Sequence, residues 1–310
     1  MRVVFLGNAR WSVPSLEAVA RSHHRVVLVV TRVPRPAGRG SRLTRTPVAD
    51  AAERLGLPLA EVETVKRGPG FEAIRSARPD VLAVVAYGEI LPQAVLDLPS
   101  VAPVNVHFSL LPALRGAAPV QRAILAGLDR TGVTTIRMDE GMDTGPILLA
   151  AEEPILPEDD AGTLGARLAE LGGRLLVETL DRLEAGTVEE RPQDHAAATL
   201  APRLTPEDRV VDWGEDAEAV VRRVRALAPD PAAVTRFRGR VLKLFRARAV
   251  PVPDGAGPPG TVALVSADGF AVAAGRGAVR LEEVAPEGRR RMSGAEFVHG
   301  YRPRVGERLG

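Results

Sequence analysis

Arg2-Val3-Val4-Phe5-Leu6-Gly7 begins the first regular element of the sequence. It is a short apolar run closed by glycine. A helical pattern through Leu16, Val19 and Ala20 follows, and then a second apolar run from Val26 to Thr31. Strand, helix, strand in this order opens an α/β, Rossmann-like, doubly wound and mostly parallel sheet. The turn after the first strand reads Gly7-Asn8-Ala9-Arg10-Trp11-Ser12. It lacks the GxGxxG spacing that lets a dinucleotide pyrophosphate approach a helix N-terminus, which disfavours an NAD enzyme.

Working outward, Ala49 to Gly56 reads as helix, Val81 to Ala86 as a buried strand, Leu91 to Leu96 as a short helix and Val104 to His107 as another strand. Val120 to Leu128 is helical, Val133 to Met138 a strand and Ile147 to Glu152 extended. A long helix from Thr163 to Ala185 carries Leu164, Leu168, Leu171 and Leu175 on one stripe and stops at Gly186. Periodicity is then lost across Pro192, Pro202 and Pro206, as in a linker. This sets a front domain at 1–186, a linker at 187–205 and a rear domain at 206–310. In the rear domain a helix (Ala217 to Leu227) precedes five strand-like runs with glycine-bearing turns, which predict a small OB-like β-barrel.

The composition of the 310 residues, 45% hydrophobic and 26% charged, is that of a globular chain with room for two domains. No run approaches the about eighteen apolar residues of a membrane helix and no leader pattern follows Met1, so a cytoplasmic chain with no membrane partner is expected. Cysteine is absent, which removes disulfides, thiol nucleophiles, CxxC zinc sites and iron–sulfur clusters together. His23, His24, His107, His195 and His299 show no HExxH or His-x-His spacing, so no metal site is expected. His23 and His24 read as part of a surface turn without a role, and Trp11 and Trp213 as packing residues.

From Pro202 onward 19 basic residues face 14 acidic ones, against 22 and 25 before it, so the rear carries +5 and the front −3. Phosphate neutralisation drives non-specific nucleic-acid binding, so one reading is a polyanionic partner; the other is an arginine-rich composition without a partner. The segment from Arg32 to Pro47 holds Arg35, Arg39, Arg42 and Arg45 and no acid. It reads as irregular, either a solvated loop or an arm that orders on phosphates. Arg289-Arg290-Arg291 is a solvated turn or a phosphate contact.

The chemistry concentrates in Asn105-Val106-His107-Phe108-Ser109-Leu110-Leu111-Pro112 and in Arg115-Gly116-Ala117-Ala118-Pro119 just after it. In a strand, residues 105 and 107 point to one face, so an amide and an imidazole are presented together. They emerge at a strand's C-terminal end, where open α/β sheets place their ligands. Met138-Asp139-Glu140-Gly141-Met142-Asp143-Thr144-Gly145-Pro146 contributes Asp143, and its glycines let a turn pass close to a ligand. A carboxylate beside His107 would fix its tautomer.

With NVHFSLLP, RGAAP and DEGMDTGPIL, the chain resembles the 10-formyltetrahydrofolate-dependent formyltransferases, and specifically those that act on methionyl-tRNA. The likeness extends to RPAGRGSRL at Arg35 to Leu43, AYGEILP at Ala86 to Pro92, and VDWGEDAE and VRALAPDPAA in the rear half. It implies direct formyl transfer from 10-formyltetrahydrofolate to the α-amine of methionine on initiator tRNA, without a metal. By carry-over, Asn105 and His107 stabilise the oxyanion, while Asp143 orients His107 and moves a proton through water. An amide N–H and an imidazole on one strand face form a two-donor oxyanion site, with about 10²–10³ in rate lost per donor removed.

The resemblance also implies that folate lies against Ser109, Leu110, Leu111 and Pro112 and against Tyr87, Gly88, Ile90 and Leu91. It implies a monomer with the acceptor stem gripped between the domains and Arg35, Arg39 and Arg42 at the stem's end. Asn8-Ala9 stands where such enzymes commonly have Thr-Pro. The alternative is a formyltransferase acting on a small-molecule amine, which would need neither the arginine segment nor a rear barrel.

Overall fold

Val3, Val4, Phe5 and Leu6 are sealed from solvent in β1 (Arg2–Gly7), a central strand of its sheet. Burial on both faces is what an uninterrupted apolar run requires. The computed structural model describes residues 1–37, 42–252 and 255–310. β1 pairs in parallel with β2 (Arg25–Arg32). A hairpin of β3 (Arg35–Ala37) and β4 (Arg42–Thr44) comes next, then β5 (Leu59–Val62) on the edge beside β2. β6 (Val81–Val85) lies on the other side of β1, and β7 (Ala102–His107) beside β6, both parallel. β8 (Arg130–Arg137) and β9 (Ile147–Pro154) extend the sheet with antiparallel pairing. The order β5-β2-β1-β6-β7-β8-β9 reverses direction of growth between β1 and β6, the point at which doubly wound sheets open a crevice.

The crossover helices are α1 (Val13–Arg21), α2 (Pro47–Arg54), α3 (Gly68–Ala77) and α4 (Gln93–Leu96), followed by α5 (Pro119–Leu125) and α6 (Ala161–Glu184). The first three have proline in the first turn, where its missing N–H costs nothing. Thr46 caps α2 by accepting from the Ala49 N–H at 3.0 Å. One core cluster joins Val4, Leu6, Val30, Ile74, Leu82 and Val95, each worth about 1.5–3 kcal/mol of burial.

The arginine segment is not irregular throughout, as its composition suggested. Arg35 pairs with Thr44, Pro36 with Leu43 and Ala37 with Arg42. A ladder of three residue pairs needs backbone groups, not hydrophobic periodicity, so no pattern announced it. Arg39 lies outside the described residues.

Two compact units emerge: residues 1–119, 130–154 and 165–202 form the first, and 120–129, 155–164 and 203–310 the second. Residues 187–202, which the sequence suggests as most of a linker, are bonded into the first unit. Ile147 and Arg191 exchange both backbone hydrogen bonds, at 2.8 and 2.9 Å, and the Ala201 N–H donates to the Arg115 carbonyl at 2.7 Å.

The second unit holds α7 (Ala217–Leu227), β10 (Ala233–Phe237), β11 (Arg240–Val250), β12 (Val262–Ser266), β13 (Gly269–Ala273), β14 (Ala278–Pro286), β15 (Met292–Ser293) and α8 (Gly294–Tyr301). Its antiparallel sheet has the order β10-β11-β14-β13-β12, with β15 on β14. Among the described residues β10 and β12 do not pair with each other, so no closed barrel is found. The C-terminal segment occupies both edges instead: Leu309 bridges Phe237, and Arg308 bridges Thr261. Trp213 is a packing residue, as expected, with its indole N–H donated to Thr235 Oγ1 at 3.1 Å. Phe297 from α8 stacks between Phe270 and Tyr301, with ring centroids 5.0 and 4.7 Å away.

Candidate active site

The ends of β1, β2 and β6 are tied together by one side chain. Asn8 Oδ1 accepts from Thr31 Oγ1 and from the Arg32 N–H, both at 2.9 Å, and its Nδ2 donates to the Tyr87 carbonyl. Ser12 Oγ donates to the Val85 carbonyl at 2.6 Å. These bonds shape the crevice at the order reversal.

Asn105 and His107 share one face of β7, as alternation requires, with Asn105 half-buried and His107 buried. Asp143 reaches them from the 138–146 turn. Its Oδ1 accepts from Asn105 Nδ2 at 3.2 Å; its Oδ2 accepts from the Gly116 N–H at 2.9 Å and lies 3.5 Å from His107 Nδ1. The three side chains therefore converge. His107 Nε2 sits 2.9 Å from the Leu114 carbonyl. A carbonyl can only accept, so Nε2 carries a hydrogen and Nδ1 is the ring atom that faces Asp143. This departs from the expected two-donor oxyanion site. Nε2–H is committed to the backbone, whereas the Asn105 amide has a second hydrogen beyond the one given to Asp143.

Among the residues expected to line a folate pocket, several are builders of the walls. Ser109 is fully buried; its Oγ donates to the Ala113 carbonyl at 2.6 Å and its carbonyl accepts from Thr134 Oγ1 at 2.7 Å. Thr134 Oγ1 also accepts from the Leu111 N–H at 3.1 Å, and the Leu111–Pro112 peptide is cis. Leu110 and Pro112 are half-buried and Leu111 is buried. Tyr87 and Leu91 belong to the hydrophobic core; burial pushes the Tyr87 hydroxyl up to about 12. Gly88 and Ile90 between and beside them are exposed, Ile90 at 71%. Of the arginines assigned to tRNA, Arg35 is exposed and Arg42 is placed by its backbone in β4.

Residues that sequence reading left without a role complete the site. Arg115, buried in the RGAAP segment, directs Nε and Nη2 to Gln193 Oε1 at 3.2 and 2.7 Å, and Nη2 lies 3.1 Å from His195 Nδ1. Gln193 Nε2 donates to the carbonyls of Asp143 at 2.9 Å and Gly145 at 2.7 Å. Gly116 is at φ 122°, and a Cβ there would stand 2.7 Å from the Ala201 carbonyl oxygen. RGAAP was a signal for Arg115 and Gly116. Gln193 has none, because its partners are 48 to 78 residues away.

Two family models cover most of the chain: "Formyl transferase" over residues 1–180 and "Formyl transferase, C-terminal domain" over residues 203–302. The methionyl-tRNA formyltransferase of Koribacter versatilis is 47% identical over 312 residues, covering 100% of this chain and 99% of its own. That of Thermus thermophilus is 47% identical over 310 residues, with the same coverage of both chains. The crystal structure of HypX from Aquifex aeolicus in complex with tetrahydrofolic acid superposes with a TM-score of 0.66 at 20% identity over 99% of this chain; the chain spans 48% of that protein. This last likeness concerns the fold. With both domain models matched in order and relatives of 47% identity aligned end to end, the chain belongs to the formyl transferase family.

Proposed function

We propose that this chain transfers the formyl group of 10-formyltetrahydrofolate to the α-amino group of methionine on initiator tRNA, in the cytoplasm and as a monomer. The reading rests on the convergence of Asn105, His107 and Asp143 at a sheet's ligand-binding end, in a chain that aligns over its whole length with methionyl-tRNA formyltransferases. The methionyl amine attacks the formyl carbon, and the carbonyl oxygen becomes an oxyanion that takes the free Asn105 N–H. The proton lost by the attacking nitrogen passes to the His107 Nδ1 and Asp143 pair, directly or through water. N10 of the folate accepts a proton and leaves as the C–N bond breaks. Electrostatic donation of this kind accounts for about 10²–10³ in rate per donor and proton transfer for about 10²–10⁴.

Folate is assigned to the crevice walled by Ser109, Leu110, Leu111 and Pro112, with Gly88 and Ile90 as its exposed lip and Tyr87 and Leu91 supporting from the core. The division into a catalytic front and an OB-like, tRNA-binding rear belongs to the same proposal. There the acceptor stem contacts the basic rear unit, and Arg35, Arg39 and Arg42 meet the stem's end. The test offers the purified chain labelled 10-formyltetrahydrofolate together with charged initiator tRNA, or with a nucleotide-linked amino sugar. Label on tRNA-bound methionine is the expected result; label on the amino sugar alone would overturn the reading.

A further inference from the structure

We infer that Gln193, backed by Arg115, is a positioning residue that holds the Asp143 carboxylate in register with Asn105 and His107; the inference rests on the formyl-transfer reading. Asp143 has φ 55°, a left-handed conformation that most residues with a side chain avoid. Such a backbone persists only when its surroundings over-determine it. Among the described residues, the Gly116 N–H and Asn105 Nδ2 hold the carboxylate, Asp139 Oδ1 accepts from the Gly141 N–H and from Thr144 Oγ1 within the turn, and Gln193 holds the carbonyls of Asp143 and Gly145. Beneath the turn, the Arg137 N–H donates to the Pro146 carbonyl at 3.0 Å, and a Cβ at Gly145 would stand 1.8 Å from the Arg137 oxygen.

The Gln193 amide has one orientation available. Its two hydrogens go to two carbonyls and its oxygen accepts two N–H groups of Arg115. A flip would set oxygen against the two carbonyls and NH₂ against a guanidinium, losing all four bonds at a site only 7% exposed. The guanidinium is itself buried, and its partners among the described residues, Gln193 and His195, carry no carboxylate. Its charge thus polarises the amide and strengthens the N–H groups that grip the turn. None of the polar contacts of Gln193 goes to substrate-facing atoms; its influence reaches the reaction only through Asp143.

The decisive variant is Gln193→Glu. It keeps the length and gives Arg115 a carboxylate, yet removes both donors and sets oxygen against the Asp143 and Gly145 carbonyls. Displacement of a reacting group by about 1 Å costs about 10²-fold, so kcat should fall by about that factor, with KM for formylfolate and for tRNA unchanged and Tm undiminished. Hydrogen exchange of the 139–146 amides should quicken while the rest of the sheet keeps its protection. Arg115→Lys, which cannot offer two N–H groups to one oxygen, should shift both readouts the same way by less. Wild-type kcat and exchange in Gln193→Glu would overturn the inference, as would a loss of kcat that merely follows a drop in Tm and a rise in KM. Should the unaltered chain formylate no tRNA, the formyl-transfer reading alone fails; unchanged exchange at 139–146 would then still refute the positioning role.

Discussion

The first unit builds a histidine–carboxylate pair at each end of its sheet, and the two pairs have opposite characters. His24 lies at the start of β2, with its side chain sealed from solvent and both ring nitrogens taken: Nδ1 faces the Met1 amine at 3.1 Å and Nε2 faces Asp181 at 2.8 Å. Neighbouring His23 meets Glu184 at 2.8 Å, and Glu184 accepts from the Met1 ammonium at 2.8 Å. One ligand atom each from His23, His24 and Asp181 falls within 4.8 Å, so residue type alone would place this cluster beside the one proposed to be catalytic. At the far end, His107 has one nitrogen fixed on a backbone carbonyl and the other 3.5 Å from Asp143, with Asn105 alongside. The lesson is that a closed set of hydrogen bonds holds a fold, whereas a set with bonding capacity in reserve can serve a reaction.

The largest expected contrast between the two ends is in activity. His107→Ala should lower kcat/KM by about 10²–10⁴ on charged tRNA, while His24→Ala should retain the wild-type value. Equal losses in a formylation assay would erase the distinction. The second contrast is in stability: His24→Ala strips two charged partners, Met1 and Asp181, and should cost up to about 3 kcal/mol in urea unfolding, whereas His107→Ala, which strips one backbone carbonyl, should cost about 1 kcal/mol.

The smallest effect is the dependence on pH. Burial lowers the His24 pKa from 6.5, so the unfolded ring binds its proton more readily than the native one. Its contribution is therefore present above 6.5 and lost as pH falls below. Hydrogen bonds from the N-terminal ammonium and His23 hold Glu184 at about 2, so its contribution is present above 4.5 and fades toward 2. Tm should decline as pH falls below 6.5 and again as it falls below 4.5, and His24→Ala should abolish the first decline while keeping the second. A Tm that stays flat from 6.5 down to 4.5 in the unaltered chain would remove His24 from this account.

Legibility followed the range of the interactions. The strand carrying Asn105 and His107, the strand–helix–strand opening, and the turn bearing Asp143 were readable because periodicity and glycine act over a few residues. β5 and α3 were left unassigned: Leu59–Val62 is an edge strand of mixed burial, and Gly68-Pro69-Gly70 reads as a turn although it opens a helix. For α8 a signal existed, since Ser293 and Glu296 form a capping box. The 187–205 segment misled because its order comes from bonds such as Ala201 to Arg115 and Gln193 to Gly145, which no local window contains. A closed barrel was expected from strand count alone; the C-terminal residues lie where β10 and β12 would have met.

Asn8 makes the ends of three strands lean on one side chain. Because one amide serves Thr31, Arg32 and Tyr87 at once, three strand ends should loosen together when it is lost, rather than each fraying on its own schedule. Sensitivity to substitution around these strand ends is thereby gathered into one polar residue.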